Sequence, residues 1–132
     1  MADRVFLDAN ILFSAAFRPN APMRVLWQLS GVRLLTCSYA VNEAERHLAT
    51  AEQKAALREL LASVTVVEPP PIALASPGLE VHQKDLPIVL AAIHAQATHL
   101  LTGDQRHFGR YYGHRIAGVL VTKPSTYLAR KR

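Results

Sequence analysis

The sequence predicts an α/β fold with helices on both faces of a central parallel sheet, and three features of its 132 residues carry that expectation. Short apolar runs with strand character alternate with segments of helical apolar spacing. No internal repeat or low-complexity tract interrupts the alternation. Two of the apolar runs end on an aspartate, Asp8 and Asp104, at the strand ends where open α/β sheets form their functional crevice.

"RVFL" is the first strand, and the "ANILFSAAF" after it has helical spacing at Ile11, Leu12, Ala15 and Ala16. "PMRVLWQLSG" opens on Pro22 and closes on Gly31, the usual asymmetry of a helix, with Val25, Leu26 and Leu29 on one face. "RLLTC" is the second strand. Ser38 is placed to cap a helix through "YAVNEAERHL", and Thr50 with Gln53 forms a capping-box pattern in front of "AALRELLA". "VTVVE", heavily β-branched, is the third strand. "PPPIALASPG", from Pro69 to Gly78, excludes regular helix and central strand and reads as a connector wrapped over the body. Order resumes at "KDLPIVLAAIHAQA", with Asp85 at or near the N-cap, Pro87 in the first turn, and Leu86, Val89, Leu90, Ile93 and Ala97 on a buried face. "THLLT" is the fourth strand and "GVLVT" the fifth. Pro124 opens a last short helix in "PSTYLA", and the terminal "RKR" reads as a frayed, solvated end.

The length and the 50 % hydrophobic content match one domain, residues 1–132, with one buried core. No apolar run approaches the roughly 20 residues of a membrane span, and Asp3 and Arg4 do not make a signal-peptide start, so a soluble cytoplasmic protein is expected. Cys37 is the only cysteine, which rules out an internal disulfide and a cysteine-based zinc site; among "LLTCSYA" it reads as core. The net charge of +5 and the pI of about 9.8 turn the surface toward anionic partners. A basic body around an acidic pit suits a polyanion that is to be cut, with metal ions between.

Four acids can reach the carboxyl end of the sheet. Asp8 and Asp104 follow the first and fourth strands, Glu43 lies in the helix after the second strand, and Asp85 opens the helix that leads into the fourth. Each also has a plainer reading: Asp8 and Asp85 as N-caps, Glu43 as a helix-surface charge beside Glu45 and Glu52, Asp104 as a turn acid. Their joint placement is what points to chemistry. Phosphodiester hydrolysis needs an activated water and neutralisation of charge on the phosphate, and Mg²⁺ or Mn²⁺ serves both. Such hard cations select oxygen ligands, whereas bare carboxylates crowded together would repel and titrate high.

The six histidines form no metal-binding spacing along the chain. "RHFGRYYGHR" mixes Arg106, Arg110 and Arg115 with Phe108, Tyr111 and Tyr112, a composition able to hold phosphates and stack bases, with Arg106, His107 and Arg110 as the RNA-contact candidates. The same aromatics could instead pack into the core, and the two readings are compatible.

"VFLDANILFSAAF", "CSYAVNEAERHL", "KDLPIVLAAIHAQATHLLTGDQRHFG" and "VLVTKPSTYL" together resemble the PIN-domain ribonucleases, and among them the VapC-like toxins of bacterial toxin–antitoxin pairs, over most of the chain and in family order. The resemblance implies a three-layer α/β/α sandwich around a parallel sheet and a metal-dependent endoribonuclease site. Position by position, Asp8, Glu43, Asp85 and Asp104 match the family acids, with Asp8, Asp85 and Asp104 holding Mg²⁺ or Mn²⁺. Glu43 would ligate the ion or orient the attacking water. Asn10 matches the small polar residue two positions after the first Asp, and Thr102 of "TGD" joins it as an auxiliary position. Many relatives carry one more acid shortly after the fourth; here "QRHF" has none before Phe108, which implies a one-metal resting state. A small antitoxin and a homodimer partner are implied as well, with the segment around Met23 and Trp27 offering contacts.

Two other classes compete. A receiver-like signalling domain would use a strand-end Asp and a late lysine, for which Lys123 is available, but its early acid pair is missing. A haloacid-dehalogenase-like phosphatase needs a second acid where Asn10 stands. A PIN-like module that binds RNA without cutting it is the remaining alternative.

Overall fold

The computed structural model describes residues 2–72 and 79–131. Six strands form one sheet: β1 (Asp3–Leu7), β2 (Val32–Cys37), β3 (Thr65–Val67), β4 (His99–Leu101), β5 (Arg115–Ile116) and β6 (Val119–Thr122), in the order β3-β2-β1-β4-β6-β5. Every neighbouring pair is parallel except β5 and β6, which form an antiparallel edge. Among the described residues six α-helices accompany them: α1 (Ala9–Ala16), α2 (Ser38–His47), α3 (Ala51–Leu61), α4 (Leu86–His94), α5 (Gln105–Phe108) and α6 (Pro124–Lys131). The α/β/α sandwich expected from the sequence is thus the architecture found, with a mixed rather than wholly parallel sheet.

From β1 the chain steps outward to β2 and β3, then returns to lay β4 on the other side of β1. Right-handed crossovers therefore place α1, α2 and α3 on one face and α4 on the other. The direction of winding reverses between β1 and β4, whose register pairs Leu7 with Leu101. Open α/β sheets have their crevice at such a reversal, outside the carboxyl ends of the strands. A receiver-like order, with the first strand between the second and third, is not present, which removes that alternative.

The central strands are apolar because both of their faces are covered: Val5, Phe6 and Leu7 are all fully buried. Ile11, Leu12, Ala15 and Ala16 of α1 are buried as their spacing predicts. Helix α4 is enclosed more completely than a single stripe allows. Ile88 through Ala92 are all buried, whereas Leu86 and Ile93, expected on the inner face, are only partly so. The capping box of α3 forms, with Thr50 Oγ1 accepting from Gln53 N–H at 3.1 Å and Gln53 Oε1 accepting from Thr50 N–H at 3.1 Å.

Several local expectations are corrected. Pro22–Gln28 winds as a 3-10 helix; Leu26 is buried and Trp27 is half-buried, its Nε1 donating to Leu60 O at 3.0 Å. Ser38 is the first residue of α2 and makes no cap, because its hydroxyl donates to Glu68 Oε2 at 2.7 Å. The short strand β5 precedes "GVLVT", which is therefore the sixth strand. Lys131 ends α6 in an ion pair with Asp3 at 2.8 Å instead of fraying. Of the Pro69–Gly78 connector, residues 73–78 lie outside the described residues. No helix among the described residues is long and apolar enough to cross a membrane.

Candidate active site

The first residue beyond β1 is Asp8, and its environment is built from residues almost a hundred positions away. Asp8 N–H extends the sheet by donating to Leu101 O at 3.1 Å. Its Oδ1 accepts from Ala9 N–H at 2.7 Å, so the N-cap reading of Asp8 is correct as far as one oxygen goes. Oδ2 accepts from Thr102 Oγ1 at 2.7 Å and from Asn10 Nδ2 at 2.9 Å. Asn10 Oδ1 in turn accepts from Gly103 N–H at 2.8 Å, and Thr102 Oγ1 accepts from Asp104 N–H at 3.1 Å. A Cβ at position 103 would stand 3.3 Å from Asn10 Oδ1, so a glycine lets the two loops close. "LDAN" and "TGD" are thereby one hydrogen-bonded unit, and Asn10 and Thr102 are the residues that join them.

Asp8 is 3 % exposed. Burial lifts its carboxyl to about 6 against the pull of its Thr102 and Ala9 donors, and Asp85 and Glu43 push it the same way. Asp85, at the start of α4, makes no capping hydrogen bond, which excludes the plain N-cap reading. It too is lifted, mainly by burial and further by Asp104, while His107 pulls it back. Asp104 does cap α5, its Oδ1 accepting from His107 N–H at 3.1 Å. All four acids, Asp8, Glu43, Asp85 and Asp104, line a single open cavity of about 370 Å³ at the carboxyl edge of the sheet.

His107 stands between two of them, with Nδ1 2.6 Å from Asp85 Oδ2 and 3.2 Å from Asp104 Oδ2. The closer approach lacks hydrogen-bond alignment, so Asp85 Oδ2 and His107 Nδ1 are buried without a hydrogen-bond partner. A cavity lined by four acids, with an unsatisfied buried carboxylate oxygen, fits a divalent cation. Asp8, Asp85 and Asp104 line this cavity together, and of the three Asp85 belongs to the group, with His82 and His107, whose ligand atoms lie within 4.8 Å of one another.

The other predicted contacts divide. His107 lines the cavity, but Arg106 is exposed outside it, and Arg110 is held by an ion pair to Glu80 at 2.6 Å on the open surface. Phe108 is fully buried and belongs to the core, not to a stacking surface. Tyr112 donates to Thr102 O at 2.9 Å, bracing the loop from outside. The cavity wall also includes His47, Lys84 and Phe13, which the sequence did not single out. His82 was missed as well. Its ring stacks on His107 with centroids 4.0 Å apart and planes 8° from parallel, and His82, Asp85 and His107 place potential ligand atoms within 4.8 Å of one another. The histidines show no metal-binding spacing along the chain; "HQKD" sets His82 three residues before Asp85, and the fold brings His107 to them.

The sequence matches the family model for the PIN domain over residues 6–114. The chain belongs to the PIN domain family. The matched span of this PIN domain contains all four cavity acids. Its fold is shared by VapBC2 from Rickettsia felis bound to a DNA fragment from its promoter, at 18 % identity and a TM-score of 0.65 over 91 % of this chain and 98 % of that one. VapBC-1 from nontypeable Haemophilus influenzae is similar at 22 % identity and a TM-score of 0.60, covering 92 % of this chain and 98 % of that one. FitAcB from Neisseria gonorrhoeae is similar at 21 % identity and a TM-score of 0.54, with the same shares, 92 % and 98 %. No curated protein matches the sequence. At these identities the likeness is one of fold.

Proposed function

We propose that this PIN domain is a Mg²⁺- or Mn²⁺-dependent endoribonuclease and the toxin of a type II toxin–antitoxin pair. The observation that carries the proposal is the convergence of Asp8, Glu43, Asp85 and Asp104, from four separate parts of the chain, on one cavity at the winding reversal of the sheet. Asp8, Asp85 and Asp104 would hold the ion, which when bound supplies charge neutralisation at phosphorus and a more acidic water. Asn10 and Thr102 keep Asp8 Oδ2 aimed and hydrogen-bonded. Glu43, which lines the same cavity, would ligate the ion or orient the attacking water. No covalent enzyme intermediate is required. Lys84 on the cavity wall and Arg106 outside it would meet phosphate oxygens, and the +5 chain draws a polyanion toward the acidic pit.

The antitoxin partner and a homodimer come from the resemblance to VapC-like toxins, supported by the shared fold of the VapBC and FitAcB structures. The test is end-labelled total RNA incubated with purified protein and Mg²⁺ or Mn²⁺, beside an EDTA control and Asp104→Asn. Cleavage abolished in both controls is the expected result. RNA that survives with either metal, or a variant that cuts like the parent, would leave RNA binding without hydrolysis as the reading.

A further inference from the structure

We propose that His82, Asp85 and His107 form a second cation subsite of mixed nitrogen and oxygen ligands, adjoining the carboxylate site and sharing Asp85 with it, which makes this chain prefer a transition metal over Mg²⁺. The proposal shares Asp85 with the nuclease reading and otherwise rests on residues that reading does not use as ligands.

Two independent observations carry it. Ligand atoms of the three side chains lie within 4.8 Å of one another, the one such group among the described residues. Within that group, Asp85, 8 % exposed, and His107 leave Oδ2 and Nδ1 buried with no hydrogen-bond partner, although the atoms approach to 2.6 Å. Two lone pairs cannot face each other at 2.6 Å without a proton or a cation between them, and a cation that displaces the shared proton would bond to both atoms.

The ligand chemistry decides which ion. Two imidazoles and a carboxylate are a borderline-soft set, suited to Mn²⁺, Co²⁺ or Zn²⁺ and poor for Mg²⁺, which demands oxygen and keeps its waters. His82 is exposed, and its ring can leave the parallel stack for a convergent one. The cost is one exposed hydrogen bond, because His82 Nδ1 accepts from Lys84 N–H at 3.1 Å. Asp104 Oδ2, 3.2 Å from His107 Nδ1, is the nearest additional oxygen and links the subsite to the carboxylate site.

The test uses the full, tag-free chain stripped of metal, titrated separately with Co²⁺ and Mg²⁺ by calorimetry, with the visible Co²⁺ spectrum recorded in parallel. His82→Gln, exposed in the fold, and Asp8→Asn are titrated beside it, each checked for folding by circular dichroism. The expected result is that His82→Gln weakens Co²⁺ binding by about ten-fold or more and alters the spectrum, while Mg²⁺ binding changes less than about two-fold. Equal Co²⁺ affinity and an identical spectrum in His82→Gln and parent overturn the proposal. Co²⁺ binding lost in Asp8→Asn alone overturns it too, and leaves the carboxylate site intact as a reading. Histidine-dependent Co²⁺ binding by a protein that does not cut RNA would uphold the subsite and refute the nuclease.

Discussion

Asp8→Asn offers a quantitative test of how the site is charged. Burial raises the Asp8 carboxyl from 3.8 to about 6, so the folded chain holds this proton more tightly than the unfolded chain. Below pH 3.8 both states are protonated and the group contributes nothing. As pH rises through the interval up to about 6, the unfolded chain ionises first and stability falls; above it the loss is complete. At about 1.36 kcal/mol per pH unit the interval corresponds to about 3 kcal/mol. Asparagine cannot ionise. Its amide would face Asn10 Nδ2, donor to donor, a cost that does not vary with pH and cancels from the comparison. Urea unfolding in EDTA, from about pH 4 to about pH 8, should show the parent losing most of that amount relative to Asp8→Asn. Adding Mn²⁺ near neutral pH should restore the parent by about 2.7 kcal/mol at a hundred-fold excess over its dissociation constant, and leave the variant behind. A parent-minus-variant difference that stays flat with pH would refute the burial argument. One that ignores Mn²⁺ would remove Asp8 from the ion's ligands.

Thr102→Val keeps the shape of the side chain but deletes the hydroxyl shared by Asp8 and Asp104 N–H; a loss of about 1–3 kcal/mol in urea unfolding is expected, with the pH midpoint of the Asp8 effect moved upward. Tyr127→Phe removes a 2.7 Å donor to Asp3 and should cost about 1.5–3 kcal/mol near neutral pH. Because the Asp3 carboxyl is held low, first by Lys131 and also by Tyr127, that penalty should shrink as pH falls through the Asp3 titration in a denaturation series. Thr50→Ala opens the α3 capping box and should lower stability by about 1 kcal/mol without changing RNA cleavage, as read from thermal unfolding beside the nuclease assay.

Elements whose signals are local were legible in the sequence. The apolar stretches Val5–Leu7 and Leu100–Leu101 read as strands because both faces are covered, and the acid that ends each run marks the crevice. The capping box at Thr50 needs only residues three apart. Ser38 carried the same kind of signal and was misread, because its partner Glu68 lies 30 residues away and is brought near by the pairing of β2 with β3. Phe108 looked available for stacking until the turn after Asp104 pointed it inward. The site followed the same division. Each of the four acids could be nominated from its place at a strand or helix end, whereas the stacking of His82 on His107 joins segments with no shared periodicity. Arg110 belonged to a plausible basic stretch, and only the position of Glu80 shows that its charge is already engaged.

Because β1 sits inside the sheet with β2 on one flank and β4 on the other, Asp8 is dry and oriented only when residues 101 to 104 have arrived beside it. During synthesis the chain therefore passes through most of its length with the first acid made and no site to put it in. The contacts that hold Asp8 and Asn10 need the fourth strand in place, with Thr102 and Gly103 beside them. A fragment ending before that point lacks Thr102, Gly103 and Asp104, so truncation there should remove the Thr102 hydrogen bond to Asp8, the Gly103 bond to Asn10 and one cavity acid together.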